Sequence, residues 1–318
     1  MQTMVKSKPP WRNIRRYSHE AMATVFEILI HEQDQSYARQ AAWAGFSLLE
    51  QLEGELSRYL NNSDISRINR APAGAAVTVS SSVFECLEQC VQLYHQTGRT
   101  FDITAGALTR LWQRDKNPPS AKEIERAQAS MGAHRLGLDP VNSQVIVPAG
   151  GLSIDLGGFG KGFAVDRLSD LLREWELDCF LIHGGASSVY AENPPGAARG
   201  WPVTLSDPDR PDQTLARIFL NHRALGGSGL KKGRHIVDPR TGYPVSRIRA
   251  AWAMAQDAAT ADALSTAFMI LDGREVRRYC EQQESGAFLI RPGREEVPVR
   301  LGAWPGWEQR SSPAAKPD

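Results

Sequence analysis

Asp155-Leu156-Gly157-Gly158-Phe159-Gly160-Lys161-Gly162-Phe163-Ala164-Val165-Asp166-Arg167 is the stretch whose reading decides the fold. Gly157, Gly158 and Gly160 lack the Cβ that keeps a backbone away from a ligand, and Gly162 follows them. Ahead of them, Leu152, Ile154 and Leu156 alternate as a short strand. Behind them, Ala164, Leu168, Leu171, Leu172 and Trp175 recur at helical spacing. A strand, a glycine turn with one lysine and a helix start together make a phosphate cradle, because free N–H groups and the helix dipole face the anion. Lys161 adds a cation, and Asp155 can orient a polar group or reach a metal. The glycine spacing is neither that of a dinucleotide fingerprint nor that of a P-loop. Taken alone, the stretch reads equally well as a tight strand-to-helix connection bearing a surface lysine.

Outward from this turn, strands and helices mix without regular alternation. That predicts an α+β chain, a mixed α/β fold in one compact unit with β-sheets packed by helices, rather than a doubly wound sheet. Residues 24–30 are rich in β-branched and aromatic types and read as a first strand. Ala38, Ala42, Gly45, Leu49, Leu52 and Leu56 form one stripe of a long helix, and Asn61-Asn62-Ser63-Asp64 is a turn cluster. Residues 83–95 read as a helix, 118–136 as a charged surface region, and 145–147 and 179–182 as short strands. Residues 192–200 read as a loop, 201–220 as strands around a polar turn, and 260–271 as a helix. The expected organisation is a flexible tail over 1–17, one domain over 18–306 and a disordered tail over 307–318.

Composition narrows the function. The 318 residues carry a net charge of +1, so bulk charge offers nothing to nucleic acid. No apolar run is long enough to cross a bilayer. The basic N-terminus lacks the apolar stretch of a secretory signal, and no cysteine lies near it to carry a lipid, which leads to the expectation of a cytoplasmic protein. Cys86 and Cys90 lie one helical turn apart in an apolar pattern, with no second pair to complete a metal site, and so read as core residues.

Two further segments carry chemistry. Gly226-Gly227-Ser228-Gly229 reads as a loop ahead of His235 and the Asp238-Pro239-Arg240-Thr241-Gly242 turn. Histidine titrates near neutrality, which suits proton transfer or phosphate contact; a histidine that merely ends a strand is the plainer reading. Asp262 and Thr266 stand i and i+4 on one helix, so both oxygens face the same way. A carboxylate and a hydroxyl on one face suit a hard cation such as Mg²⁺, completed by backbone carbonyls, water or phosphate oxygens.

These segments occur together, and the set resembles the ApbE family, the FAD:protein FMN transferases. The resemblance runs from about residue 17 to about residue 292. It rests on Met22-Ala23-Thr24-Val25-Phe26-Glu27, Ser57-Arg58-Tyr59, residues 101–108, residues 155–166, Gly184-Gly185, residues 235–244 and residues 261–267. It implies a mixed α/β fold that binds FAD with Mg²⁺, moves the FMN half of FAD onto a threonine hydroxyl of another protein and releases AMP. Matched motif by motif, Met22, Tyr59, Thr100, Phe101, Asp102, Asp155, Lys161 and His235 are the implied FAD contacts. Asp262, Thr266 and the Gly158 carbonyl are the implied metal ligands. His235 is the expected general base, with Asp238 as runner-up. The implied acceptor motif, Asp-x-Ser/Thr-Gly-Ala-Thr, is absent from this chain, which argues against self-modification. This chain has Gly160 in place of the family's usual alanine and Gly226-Gly227 in place of Ala-Thr. Two other uses of the same residues are an FAD pyrophosphatase yielding FMN and AMP, and a non-catalytic FAD carrier.

Overall fold

The computed structural model describes residues 11, 13–114, 118–148, 152–230, 233, 235–293 and 297–308. In chain order, the strands are β1 (Ile14–Ala21), β2 (Thr24–His31), β3 (Ala76–Thr78), β4 (Gly137–Asp139), β5 (Gln144–Ile146), β6 (Phe180–Gly184) and β7 (Ser188–Ala191). They continue with β8 (Trp201–Ser206), β9 (Thr214–Leu220), β10 (Arg223–Gly229), β11 (Ala250–Ala255), β12 (Gly286–Ile290), β13 (Val299–Gly302) and β14 (Trp307–Glu308). The helices are α1 (Gln35–Leu56), α2 (Asp64–Arg70), α3 (Ser81–Gln96), α4 (Gly106–Trp112), α5 (Ala121–Ala129), α6 (Gly160–Glu174), α7 (Ala258–Phe268) and α8 (Gly273–Gln282).

An eight-stranded sheet in the order β1-β2-β6-β7-β10-β11-β12-β13 forms the middle layer, antiparallel at every pairing. Helices α1, α6 and α7 cover one face, and their apolar stripes supply Leu49, Leu52, Phe163, Leu168, Leu264 and Phe268 to the main core. The other face is closed by the small sheet β14-β9-β8. There Leu181, Val189, Leu225, Met254 and Phe288 pack against Trp201, Leu205, Ile218 and Leu220. A third sheet, β3-β5-β4, lies apart from both. The α+β expectation holds in this layered, antiparallel arrangement.

Side-chain size sets how closely the layers approach. A Cβ on Gly226 of β10 would lie 2.2 Å from the carbonyl oxygen of Ala261 in α7, and one on Gly162 of α6 would lie 2.2 Å from that of Ala258. Both glycines therefore let α7 press directly on backbone, which alanine would prevent. Asp166 of α6 reinforces the contact from below: its two oxygens accept the N–H groups of Ala258 and Ala259 at 2.7 and 2.8 Å. Asp257 caps the same helix end by accepting the Thr260 N–H at 2.7 Å. Burial, with Asp257 nearby, pushes Asp166 up to about 8 against the pull of its two N–H donors.

Several expectations need correction. Gly226-Gly227-Ser228-Gly229 is not a loop but the end of β10, paired with β7 and β11. The glycines are there for close packing rather than for a turn. Residues 152–156 form no strand beyond a single bridge between Ala105 and Ser153; Asn69 holds the segment instead, donating to the Ile154 carbonyl at 3.0 Å and accepting its N–H at 2.6 Å. The surface region at 118–136 contains helix α5, announced by a capping box between Ser120 and Glu123. The expected tails over 1–17 and 307–318 overlap strands. Strand β1 begins at Ile14, and β14 pairs Trp307 with Ile218. Trp307 also packs against Phe288 and Trp304, which gives an apolar residue in a polar-looking segment something to bury against. Residues 309–318 lie outside the described residues. Cys86 and Cys90 are fully buried, as their helical spacing implies.

Gly226→Ala should therefore lower folding stability by about 1–3 kcal/mol through overpacking. A denaturant midpoint equal to that of the wild type would show that α7 does not depend on this close approach.

Candidate functional site

The site grows from one row across the large sheet. In the ladder, Ser188 of β7 pairs with Gly184 of β6 on one side and Gly226 of β10 on the other. Paired residues in an antiparallel ladder share a face, so one hydroxyl stands between two positions without side chains. Helix α7 comes down over this row and sets Asp262 onto it. The Ser188 hydroxyl lies 2.7 Å from Asp262 Oδ1 and 2.8 Å from Oδ2, and the Gly162 N–H donates to Oδ2 at 2.9 Å. The N-terminal turn of α6, read from the sequence as a cradle for a ligand's phosphate, thus spends one N–H on a carboxylate of the chain itself.

Asp262 is 4 % exposed. Burial pushes its carboxyl up to about 6, while Lys161, the Ser188 hydroxyl and the Gly162 N–H pull the other way. The structure brings Thr266 to the same place. Its Oγ1 is 3.1 Å from Ser228 Oγ, and Ser228 also meets Ser265 Oγ at 2.8 Å. A Cβ on Gly158 would lie 3.0 Å from Thr266 Oγ1 and 3.8 Å from the Phe101 ring, so the glycine turn runs directly over the helix hydroxyl. Asp262 and Thr266 on α7 and Gly158 in the glycine turn, the implied metal ligands, are therefore brought together from two separate parts of the chain.

The oxygen set suits a hard cation. It holds one carboxylate, one hydroxyl and the backbone of a turn closed to any side chain. Among the described residues there is no cluster of three His, Cys, Asp or Glu side chains that could hold a metal ion. A cation here would complete its shell with water and with oxygens of a bound phosphate.

Asp155 opens the turn. Its backbone N–H donates to the Ile103 carbonyl at 2.7 Å, its Oδ1 accepts the Gly157 N–H at 2.9 Å, and its Oδ2 pairs with Arg58 at 3.1 Å. Arg58 in turn reaches the Tyr59 hydroxyl at 2.7 Å and lies 4.8 Å from the Tyr59 ring centroid. Tyr59 is 79 % exposed, an aromatic ring free to stack on a planar ligand. Thr100 and Phe101 are buried. The Thr100 hydroxyl donates to the Thr97 carbonyl, so its side chain shapes the turn rather than facing a ligand. Asp102 Oδ1 accepts both the N–H and the hydroxyl of Thr104. Met22 forms the β1–β2 hairpin turn at φ 50°, and that hairpin touches the diglycine where the Gly185 N–H donates to the Val25 carbonyl.

His235 and Asp238 lie on the loop between β10 and β11. The loop rests on α4 and α5: Trp112 donates to the Gly242 carbonyl at 2.8 Å, Gln128 to that of Pro239 at 3.0 Å, and Val237 packs with Leu108 and Ile124. Helix α4 is itself fixed to the strand side of the glycine turn, since the Gly106 N–H and the Arg110 guanidinium both bond Ser153. His235 Nδ1 meets the Gly233 carbonyl at 3.1 Å. Asp238 is otherwise occupied. It accepts the Arg240 N–H at 2.9 Å and pairs with the Arg240 guanidinium, which makes it a turn-forming carboxylate. Sequence reading assigned no role to Arg58 or Ser228, which stand inside quoted motifs, nor to Asn69 or Ser188. The Ser187-Ser188 pair after the diglycine was the visible signal for one of them.

Known proteins place this arrangement. The sequence model of the ApbE family matches residues 22–290. An FAD:protein FMN transferase of Salmonella typhimurium is 27% identical over 300 residues, covering 85% of this chain and 82% of that protein. One from Haemophilus influenzae is 23% identical over 265 residues, covering 77% and 76%. Among solved structures, the ApbE protein of Thermotoga maritima superposes with a TM-score of 0.80 at 26% identity, covering 91% of this chain and 97% of that one. The flavin transferase ApbE of Vibrio cholerae gives the same TM-score of 0.80 at 21% identity, covering 91% and 96%.

The protonation of Asp262 has a measurable consequence. A neutral carboxylic acid offers no anionic oxygen, so a cation held through Asp262 would bind above a pH of about 6 and be lost as the pH falls through it. Mn²⁺ affinity, followed by the EPR signal of the free ion, should fall roughly tenfold between about pH 7 and about pH 5. An affinity flat across that interval would remove Asp262 from the ligand set.

Proposed function

The chain belongs to the ApbE family, and we propose that it is a Mg²⁺-dependent FAD:protein FMN transferase. On this reading it moves the FMN half of FAD to a threonine hydroxyl of an acceptor protein carrying an Asp-x-Ser/Thr-Gly-Ala-Thr motif, and releases AMP. The observation that carries the reading is the oxygen face of buried Asp262 and half-buried Thr266 beneath the glycine turn, in a chain whose relatives bear that name.

The chemistry follows from the site. The oxygen of the acceptor hydroxyl forms a bond to the FMN phosphorus, the bond from that phosphorus to the bridging pyrophosphate oxygen breaks, and AMP leaves with that oxygen. The reacting phosphate is anionic and repels a nucleophile, so positioning and charge neutralisation dominate. Mg²⁺ at Asp262, Thr266 and Gly158 supplies that neutralisation when bound. Lys161, at the start of α6, adds a fixed cation beside the carboxylate. Tyr59 and Met22 offer surfaces to the flat and apolar parts of FAD, and Arg58 holds Tyr59 beside Asp155. His235 takes the acceptor's proton. Asp238, paired with Arg240, is the runner-up for that role.

Purified protein given FAD, Mg²⁺ and an acceptor-motif protein should leave flavin on the denatured acceptor and release AMP in equal amount. His235→Ala should slow this transfer roughly 10²- to 10⁴-fold, the range for a lost general base, with a much smaller effect on FAD affinity. Free FMN and AMP with an unlabelled acceptor would instead make the protein a pyrophosphatase. FAD left intact would make it a carrier.

A further inference from the structure

Asp262 is held in a way that a metal ligand need not be. Its carboxylate has an edge, the side on which a single cation can touch both oxygens at once. The Ser188 hydroxyl occupies that edge, 2.7 Å from one oxygen and 2.8 Å from the other. Ser188 is fixed in the core: it is 1 % exposed, lies in the middle of the large sheet between Gly184 and Gly226, and is covered by α6 and α7. The Gly162 N–H takes a further lone pair of Oδ2. Oδ1 keeps a lone pair that neither donor takes. Asp262 is thereby set up to offer one oxygen rather than two.

Mg²⁺ and Ca²⁺ differ on this point. Mg²⁺ is small, demands near-octahedral geometry and binds through one or two carboxylates with several waters retained. Ca²⁺ takes more oxygens in looser geometry and commonly chelates a carboxylate through both. We infer that Ser188 is a specificity-determining residue, which blocks two-oxygen chelation by Asp262 and so sets the site to prefer Mg²⁺ over Ca²⁺. Removing its hydroxyl frees the edge for the larger ion and at the same time loosens the orientation that Mg²⁺ needs. The inference rests on the metal site of the proposed function.

The test measures binding and not turnover. Mg²⁺ and Ca²⁺ are each titrated against Mn²⁺, with free Mn²⁺ followed by EPR, on wild type and Ser188→Ala. Melting curves without metal check that the variant is folded. In Ser188→Ala the ratio of Ca²⁺ to Mg²⁺ affinity should rise about tenfold, the scale on which outer partners tune a site. Ser188→Thr, which keeps the hydroxyl, should keep the wild-type ratio. If Ser188→Ala does not fold, Ser188→Cys takes its place, with nearly the same volume, a much weaker donor and the same expected rise. An unchanged ratio in the folded Ala or Cys variant overturns the inference and leaves the metal site standing. A wild type that binds none of the three ions overturns the metal site, and the inference with it.

Discussion

The site depends on a carboxylate buried where three backbones nearly touch. Asp262 sits under the start of α6, over the middle of the sheet and on a helix that lies against both. A charged group there would be costly without partners. It is kept by one hydroxyl, one backbone N–H and a nearby lysine. The hydroxyl and the N–H reach it because glycines at 162, 184 and 226 leave out side chains that would crowd the layers. At 162 and 226, an added Cβ would overlap backbone of α7. Packing and chemistry are in this sense one feature: the close contact that makes the core also makes the proposed cation site.

The same logic links the more distant parts. Asp155 begins the glycine turn, and the segment carrying it has almost no strand partners of its own. It is held by Asn69 from α2 and by the Ile103 carbonyl. Ser153, two residues earlier, anchors α4, and α4 with α5 carries the loop that bears His235. The glycine turn and the histidine loop therefore share a support. Movement of α4 relative to residues 153–155 would shift the proposed base against the scissile bond, at a scale where small displacements cost much of the rate.

Much of this was legible in the sequence. Helices α1, α3, α6 and α7 show in the apolar spacing, and the joint occurrence of a glycine turn, an Asp/Thr pair and a histidine loop identified the family. What was hidden is what depends on partners distant in sequence. Gly226 and Gly227 look like a loop, because composition cannot tell a glycine that bends the chain from one that admits a helix. Thr100 and Asp102 look like ligand contacts, yet their side chains close local turns. Trp307 sits in a segment polar enough to pass for a tail; only the facing Phe288 and Trp304 give it a place. Ser188 carries no signal beyond its position after a diglycine, and its importance appears only when α7 is laid on the sheet.

The central claim is that Asp262 and Thr266 present a cation to the pyrophosphate of FAD. Phosphorus NMR of FAD bound to the His235→Ala variant, with Mn²⁺ in place of Mg²⁺, tests it most directly, because a paramagnetic ion broadens only the phosphorus nuclei close to it. Both pyrophosphate signals should broaden when Mn²⁺ is added, and the broadening should vanish when Asp262→Asn is introduced into the same background. Phosphorus signals from bound FAD that stay sharp with Mn²⁺ present, or that broaden equally without the Asp262 carboxylate, would contradict the account.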